Sequence, residues 1–463
     1  MRTWTPEQVA GAAGARLVSP PPTGGGPERV TIDSRQAGPG TLFVGLPGEH
    51  VDGGRFAPHA LAAGAWGVLT TPEHAEAARC AVPGALLAAD DPLAALQRLA
   101  TAWRRALDVH VIGVTGSTGK TSTKDLLLAL LAPHRRTVAS RANYNTEIGV
   151  PLEILAAPAD TEVLVLEMAM RGSGQIAELA AVAEPDVGVI VSIGPVHLEL
   201  LGTIEAIAAA KAELIAALKP SGTAVLPAGE PLLEPHWRTD LTTITFGNGG
   251  DVRLVRSDDQ DELEIDLAGR PVVLEVPFRQ AHLRRNLLPA AAAALAVGVV
   301  PSGRVGLELT AGRGQHVALP GGVTLIDGCY NANPMSTRAA LEDLEQTATR
   351  TPGARSVAVL GDMLERGPTE RDFHLQLGEA AARSGVELLV TVGPRAAAMA
   401  ERYDGEVRTL PDAAAAADLV PDLVRPGDVV LVKGSLAVGL EAVCRALTAR
   451  SADGVDVSSG ARA

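Results

Sequence analysis

Short apolar runs recur along the chain, separated by longer stretches in which apolar residues return every three or four positions. The first pattern predicts buried strands and the second amphipathic helices. In residues 1–108 a short helical stretch is followed by a Pro/Gly-rich loop at 20–27. Val30 and Ile32 then mark one strand and Leu42, Phe43 and Val44 another, with Gly38-Pro39-Gly40 turning between them. Apolar segments at 66–69 and 85–88 and a helix at 92–105 complete this part. From 109 to 312 strands at 111–114, 162–167 and 187–193 alternate with helices, including one over 204–218. Several strand-like pieces follow between Pro220 and Pro277, and then a helix carrying His282 and Asn286 on one face. From 313 to 450 strands at 323–327, 356–362, 387–392 and 428–434 alternate with alanine-rich helices. The whole reads as α/β with three domains: 1–108, a doubly wound parallel sheet over 109–312, and 313–450. Ala311-Gly312-Arg313-Gly314 looks like the hinge into the third, and 451–463 reads as a disordered tail.

Composition agrees with a folded, multidomain chain: 463 residues, 46% hydrophobic and 20% charged. The net charge of −14 argues against a general binder of nucleic acid or of anionic membranes, so anionic ligands need local positive features. The longest apolar run, 287–300, is too short to span a bilayer, and the first residues lack the apolar core of a signal peptide. Three widely spaced cysteines, Cys80, Cys329 and Cys444, fit a reducing compartment. A cytoplasmic protein is expected. Only five of the 40 basic residues are lysines, which draws attention to each of them, since arginine cannot do the chemistry of a neutral amine.

The strongest chemical signal is VIGVTGSTGKTSTKD at 111–125. A buried strand runs into a glycine-rich turn (Gly116, Ser117, Thr118, Gly119), then Lys120, Thr121, Ser122 and an apolar helix. That layout offers backbone N–H groups and a helix N-terminus to phosphate, with Lys120 as a point charge and Thr121 as an oxygen for Mg²⁺. The common G-x-x-x-x-G-K-[ST] spacing would need glycine at Val114, so this loop is a compact variant. ATP is the expected ligand. Chemistry in such sheets gathers beyond the C-terminal strand ends, where Glu167 and the loop of His197 fall. Each also has a plain structural reading, Glu167 as a helix cap and His197 as a hydrogen-bonded loop residue. Lys211 sits on the apolar stripe of its helix, so it either snorkels outward or loses its charge. A neutral amine there could take up CO₂ as a carbamate. Asp327, Asp362 and Lys433 each end a strand, and Asp33-Ser34-Arg35 is read equally well as ligand site or as turn capping.

Taken in order, these segments resemble the Mur ligases of peptidoglycan synthesis. The resemblance rests on TGSTGKT, EIGVP (147–151), LEMAMRGSGQIAEL (166–179), IGPVHLELLG (193–202), AKAEL (210–214), HLRRN (282–286), GR (312–313), IDGCYNANP (326–334), VLGDMLERG (359–367) and VKGS (432–435). YNANP and GDMLE point to the branch that attaches D-alanyl-D-alanine to UDP-N-acetylmuramoyl-tripeptide. The resemblance implies a UDP-binding N-terminal domain, a P-loop ATPase and a Rossmann-like C-terminal domain, acting as a monomer through an acyl phosphate. It implies that Lys120 acts on the phosphates, that Thr121 and Glu167 hold one Mg²⁺, and that His197 and carbamylated Lys211 serve a second. Asn286, Arg313 and Asp327 would contact the nucleotide, and Tyr330, Asn331 and Asn333 would line it. Asp33, Ser34, Arg35 and the 45–49 loop with Gly48 would face UDP, while Asn145, Asp362, Lys433 and Ser435 would bind substrate. Thr146 and Ser192 stand where the family has asparagine, DGGRF replaces DGHDF, and Leu436 replaces an arginine. A related Mur-type or polyglutamate-type ligase with another amine acceptor is the alternative.

Overall fold

The structure, a computed structural model, describes residues 1, 3–22, 24–79, 83–257, 261–365 and 367–453. Cys80 and Arg366 lie outside the described residues, as does most of the expected tail. Three sheets carry the fold. The first contains β1 (Arg16–Ser19), β2 (Arg29–Thr31), β3 (Thr41–Val44), β4 (Gly67–Thr70) and β5 (Ala85–Ala88), in the order β1-β5-β4-β3-β2. Strands β2 to β5 are parallel and β1 is antiparallel. The turn expected at Gly38-Pro39-Gly40 therefore does not reverse the chain into a hairpin. Asp33 caps a 3₁₀ turn, Ser34–Gln36, which carries the chain across before β3 begins, and Ile32 falls outside β2 at 40% exposure.

The second sheet has ten strands: β6 (His110–Thr115), β7 (Thr137–Ala139), β8 (Val163–Glu167), β9 (Val187–Ile190), β10 (Thr223–Pro227), β11 (Thr242–Phe246), β12 (Val252–Ser257), β13 (Glu262–Leu267), β14 (Arg270–Glu275) and β15 (Gly303–Arg304). Their order is β15-β14-β13-β12-β11-β10-β9-β6-β8-β7. Strands β6 to β12 pair in parallel, and their central members are apolar throughout because helices cover both faces. Helices Lys120–Leu131 and Ala281–Ala296 lie on one face; Gly149–Ala156, Gln175–Ala183 and Ile204–Ala217 lie on the other. β6 has β8 on one side and β9 on the other, so the loop after β6 opens at the point where strand order reverses. Beyond β12 the doubly wound pattern gives way to an antiparallel meander. There apolar and polar positions alternate, as in ELEIDL, because one face is left to solvent.

The third sheet, β16 (Gln315–Leu319), β17 (Val323–Asp327), β18 (Ser356–Gly361), β19 (Leu388–Val392), β20 (Glu406–Leu410) and β21 (Val429–Lys433), is ordered β16-β17-β21-β18-β19-β20. All pairs are parallel except β16 with β17. The last helix, Glu441–Asp453, runs past the expected start of the tail at Ser451, since the sequence offers no helix breaker before Gly454. Among the described residues no helix is long and apolar enough to cross a membrane.

The sheets are not equally independent. Leu42, Leu69 and Leu87 of the first share one core with Leu164 and Leu166 of the second and with Leu214 of helix Ile204–Ala217, through helix Pro92–Ala106. Arg104 of that helix donates to the carbonyls of Ala183 and Glu184 and to Asp186, whose carboxylate also accepts from the Val111 N–H at the start of the phosphate-loop strand. The third sheet has its own cores. Leu99, fully buried in the shared core, sets the test: Leu99→Ala should cost about 2–5 kcal/mol in denaturant unfolding. A loss well under about 1 kcal/mol would mean that the site collapses freely and the two domains do not depend on this core.

Candidate active site

The phosphate loop is braced from outside. Gly116 and Gly119 have φ of 156° and 80°, and a Cβ on Gly119 would sit 2.7 Å from Asn286 Oδ1, so the second glycine is demanded by both backbone and neighbour. No side chain caps the N-terminus of helix Lys120–Leu131, which leaves its first N–H groups free for an anion. Ser117 Oγ bridges the carbonyl and N–H of Gly194, each at 2.9 Å. Ser192 Oγ accepts from the Thr118 N–H and donates to the Thr118 carbonyl, each at 3.0 Å. Ser192, one of the positions that depart from the expected pattern, is thus the clamp on the loop's middle.

At the strand ends beside the loop, Glu167 is held as a ligand group would be and is not a helix cap. Its carboxylate accepts from Thr121 Oγ1 at 2.8 Å and from Asn145 Nδ2 at 2.9 Å, while its N–H donates to Ser140 Oγ. Lys120 Nζ turns back to the Gly116 carbonyl at 2.8 Å, and burial lowers its pKa although Glu167 works against that. Lys211 does not snorkel: it is 2% exposed on helix Ile204–Ala217, and burial, with the charge of Lys120 added, holds its amine well below the usual lysine range. His197 has φ of 54°, and its Nδ1 lies 2.9 Å from Glu365 Oε2 of the third domain. Burial pushes this imidazole down to about 4, against the pull of Glu365 and with a further push from Lys120 and Lys211. A carboxylate only accepts, so the neutral ring donates from Nδ1 and keeps the Nε2 lone pair free.

The third domain supplies the opposite wall of a cavity of about 1540 Å³. Arg313 stacks on Tyr330 with its guanidinium carbon 3.8 Å from the ring centroid. The buried Nε of Arg313 and Nδ1 of His282 have no hydrogen-bond partner among the described residues, which fits a site built for a polar ligand. Lys433 Nζ donates to the carbonyls of Asn331 (2.7 Å) and Gly328 (3.4 Å), and burial brings it down to about 8. Ser117, Thr118, Gly119, Lys120, Thr121, Ser122, Asn145, Glu167, His197, Asn286, Arg313, Tyr330, Asn331, Asn333, Lys433 and Ser435 all line this cavity. Asn333 does so while capping helix Pro334–Arg350, and Ser435 Oγ is engaged by the Leu364 N–H.

Other expected site residues lie elsewhere. Gly116 and Lys211 stand behind the cavity wall. Asp327 accepts from the Cys329 N–H and thiol, and Asp362, 5% exposed, accepts from the N–H groups of Arg395 and Ala396, so both carboxylates are partnered within their own domain. Asp33, Ser34, Arg35 and Gly48 follow the C-terminal ends of neighbouring parallel strands β2 and β3, away from the cavity. Arg35 grips Asp33 bidentately at 2.9 and 2.8 Å and lowers the aspartate pKa, as turn capping alone would also arrange. Sequence reasoning singled out neither Glu365, although it lies inside the quoted VLGDMLERG motif, nor Arg171, 3.6 Å from it.

Three family models match the chain. Residues 28–104 match the Mur ligase family catalytic domain, 114–294 the Mur ligase middle domain and 312–436 the glutamate ligase domain of Mur ligases. A Synechocystis protein named UDP-N-acetylmuramoyl-tripeptide--D-alanyl-D-alanine ligase is 37% identical over 434 residues, 91% of this chain and 92% of that protein. A Bacillus subtilis protein of the same name is 33% identical, over 90% of this chain and 92% of its own. Among solved structures, MurF from Acinetobacter baumannii aligns with a TM-score of 0.85 at 27% identity, over 96% of this chain and 99% of that one. MurF from Thermotoga maritima, in complex with ADP, aligns with a TM-score of 0.79 at 29% identity, over 92% and 98%.

The Ser192 brace gives a specific expectation. Ser192→Ala removes three neutral hydrogen bonds to Thr118 of the loop, at about 1 kcal/mol each, and should weaken nucleotide binding roughly fivefold or more while leaving global stability little changed. Isothermal titration with ADP and a thermal melt separate the two effects. Unchanged affinity would show that the loop holds its shape without Ser192.

Proposed function

The chain belongs to the Mur ligase family, and on that premise we propose that it joins D-alanyl-D-alanine to UDP-N-acetylmuramoyl-tripeptide at the expense of ATP. The products are UDP-N-acetylmuramoyl-pentapeptide, ADP and phosphate, in peptidoglycan synthesis. What carries the reading is one cavity in which the phosphate loop, Glu167 and His197 of the middle domain face Arg313, Tyr330 and Lys433 of the C-terminal domain. In this reading residues 1–108 hold the UDP end of the substrate, through Asp33, Ser34, Arg35 and Gly48. Residues 109–312 bind ATP, and residues 313–450 close over it and receive the acceptor. The enzyme acts as a monomer in the cytoplasm, where ATP and UDP-linked precursors are available.

The chemistry follows from charge. A substrate carboxylate attacking the γ-phosphorus of ATP approaches a polyanion, and the new O–P bond forms as the bond to ADP breaks. The acceptor amine then attacks the acyl carbon of that acyl phosphate, and phosphate leaves. Lys120 and the uncapped helix N-terminus stabilise charge on the transferring phosphoryl group. Arg313 and Tyr330, with Asn286, Asn331 and Asn333 nearby, orient the nucleotide; Asn145, Lys433 and Ser435 serve the acyl and acceptor ends. The Thr121 hydroxyl and Glu167 carboxylate are oxygen donors that suit one magnesium ion; a second would be held by the carbamate oxygens on Lys211, with His197 Nε2 as a nitrogen donor beside them. When bound, such ions neutralise phosphate charge and polarise the reacting oxygens. Lys211 is fitted for the carbamate because a buried amine kept neutral can add to CO₂, forming an N–C bond and releasing one proton, and the resulting anion would be balanced by the cation it helps to hold.

Three measurements test the reading. Mass spectrometry of a reaction with ATP, the UDP-tripeptide and D-alanyl-D-alanine should give the pentapeptide product, with phosphate release requiring both substrates. A second amine acceptor that outcompetes D-alanyl-D-alanine would favour the related ligase. Lys211→Ala should abolish turnover, with partial recovery on adding a short-chain carboxylic acid; wild-type activity in this variant removes the carbamate.

A further inference from the structure

Outside the nucleotide cavity, the described residues contain one cluster of three potential metal-ligating groups. It consists of the Asp327 carboxylate at the end of β17, the Cys329 thiol two residues later and the Cys444 thiol in the first turn of helix Glu441–Asp453. Their ligand atoms all lie within 4.8 Å of one another. Cys329 donates its S–H to Asp327 Oδ1 at 2.8 Å, and both cysteines are buried, at 2% and 8% exposure. Both are free thiols. The ligation step proposed above uses neither sulfur. From this geometry we propose that Asp327, Cys329 and Cys444 form a binding site for a thiophilic divalent cation, of which Zn²⁺ is the type.

The donor set selects the class of ion. Two sulfurs and one oxygen suit Zn²⁺ and ions like it, whereas Mg²⁺ and Ca²⁺ take oxygen ligands. Three protein ligands leave a fourth tetrahedral position for water, and Asp327, only partly buried, is the side from which it would enter. Hydrogen bonding with Cys329, together with burial, holds the Cys444 thiol protonated while no cation is present. On binding, both thiols release their protons to solvent, and one carboxylate, two thiolates and a divalent cation sum to a single negative charge. The ammonium of Lys433, which feels the charges of both Cys329 and Asp327, stands ready to balance it. The bound ion would tie the last helix to the loop that leads into Tyr330 and Asn331 of the cavity wall.

The test uses the full chain without a histidine tag, reduced and freed of metal, titrated with Co²⁺ as a spectroscopic stand-in for Zn²⁺. Expected is sulfur-to-cobalt charge-transfer absorption that saturates at one equivalent, is bleached by Zn²⁺ and survives a large excess of Mg²⁺. Cys80→Ser should keep that absorption, Cys444→Ser should lose about half of it or all binding, and Zn²⁺ should raise the melting temperature of the wild type but not of Cys444→Ser. No charge-transfer band in the wild-type chain overturns the proposal, whether or not the variants fold. A band lost in Cys80→Ser overturns it too, as does a Cys329–Cys444 disulfide that forms in place of metal uptake.

Discussion

Lys120, Lys211 and Lys433 bring three amines into and behind the walls of one cavity, while the lysine ion pairs among the described residues belong to Lys124 and Lys219. A buried cation without a partner must lose its proton, find an anion or cost several kcal/mol. Burial already moves all three pKa values down, and Glu167 is the carboxylate that Lys120 feels. The site is therefore poised for a polyanion, and the reverse is true of the protein as a whole, with its net charge of −14. Attraction has to be local and short-ranged, supplied by the loop N–H groups, the helix terminus and these lysines. Selectivity for a ligand rich in phosphate follows from that confinement.

The parts of the site legible in the sequence were those with a local pattern. A strand, a glycine turn and Lys-Thr can be read within fifteen residues, and Lys211 betrays itself by occupying an apolar stripe. Strand-end positions predicted where Glu167 and Asp327 would stand. What stayed hidden depends on contacts between distant residues. Ser192 is marked in the sequence only as a departure from the family's asparagine; that it clamps Thr118, 74 positions earlier, is seen only in the structure. Glu365 meets His197 across 168 positions, and no periodicity encodes such a meeting. Ambiguity of another kind affects Asp33, since an aspartate that caps a 3₁₀ turn and one that presents an arginine to a ligand have the same sequence and the same hydrogen bonds.

Fold class was readable for the same reason: helix and strand periods are local, whereas strand order is not. The sequence pattern distinguishes β13 and β14 from their parallel neighbours by their alternation, yet nothing in it says that they extend the ATPase sheet. The parallel direction of β2 and β3 was likewise set by the capped turn between them more than by Gly38-Pro39-Gly40. Turn residues announce that the chain changes direction; the elements around them decide by how much.

The division of cores bears on how the reaction is protected. The first two sheets share apolar packing and should behave as one body, while the third meets the second through Met335 packed on Gly194 and through polar contacts, His197 with Glu365 and Arg285 with Glu342 among them. Polar interfaces of this kind permit relative motion. Gly312 and Gly314, with φ of 71° and 88°, lie in the connecting segment, and Thr310 just before it is anchored to Asp125 of the phosphate-loop helix. The connection is thus tied to the nucleotide side through Thr310 and to the third domain through Gly312 and Gly314, which hydrogen-bond Tyr330 and Asp327. His197 and Glu365 both adopt left-handed backbone conformations, which persist only where surrounding structure enforces them. Each presents its side chain to the other domain, so their contact depends on the two bodies being together. An acyl phosphate is lost to water unless the acceptor is already enclosed, and a site completed only by that meeting ties chemistry to closure.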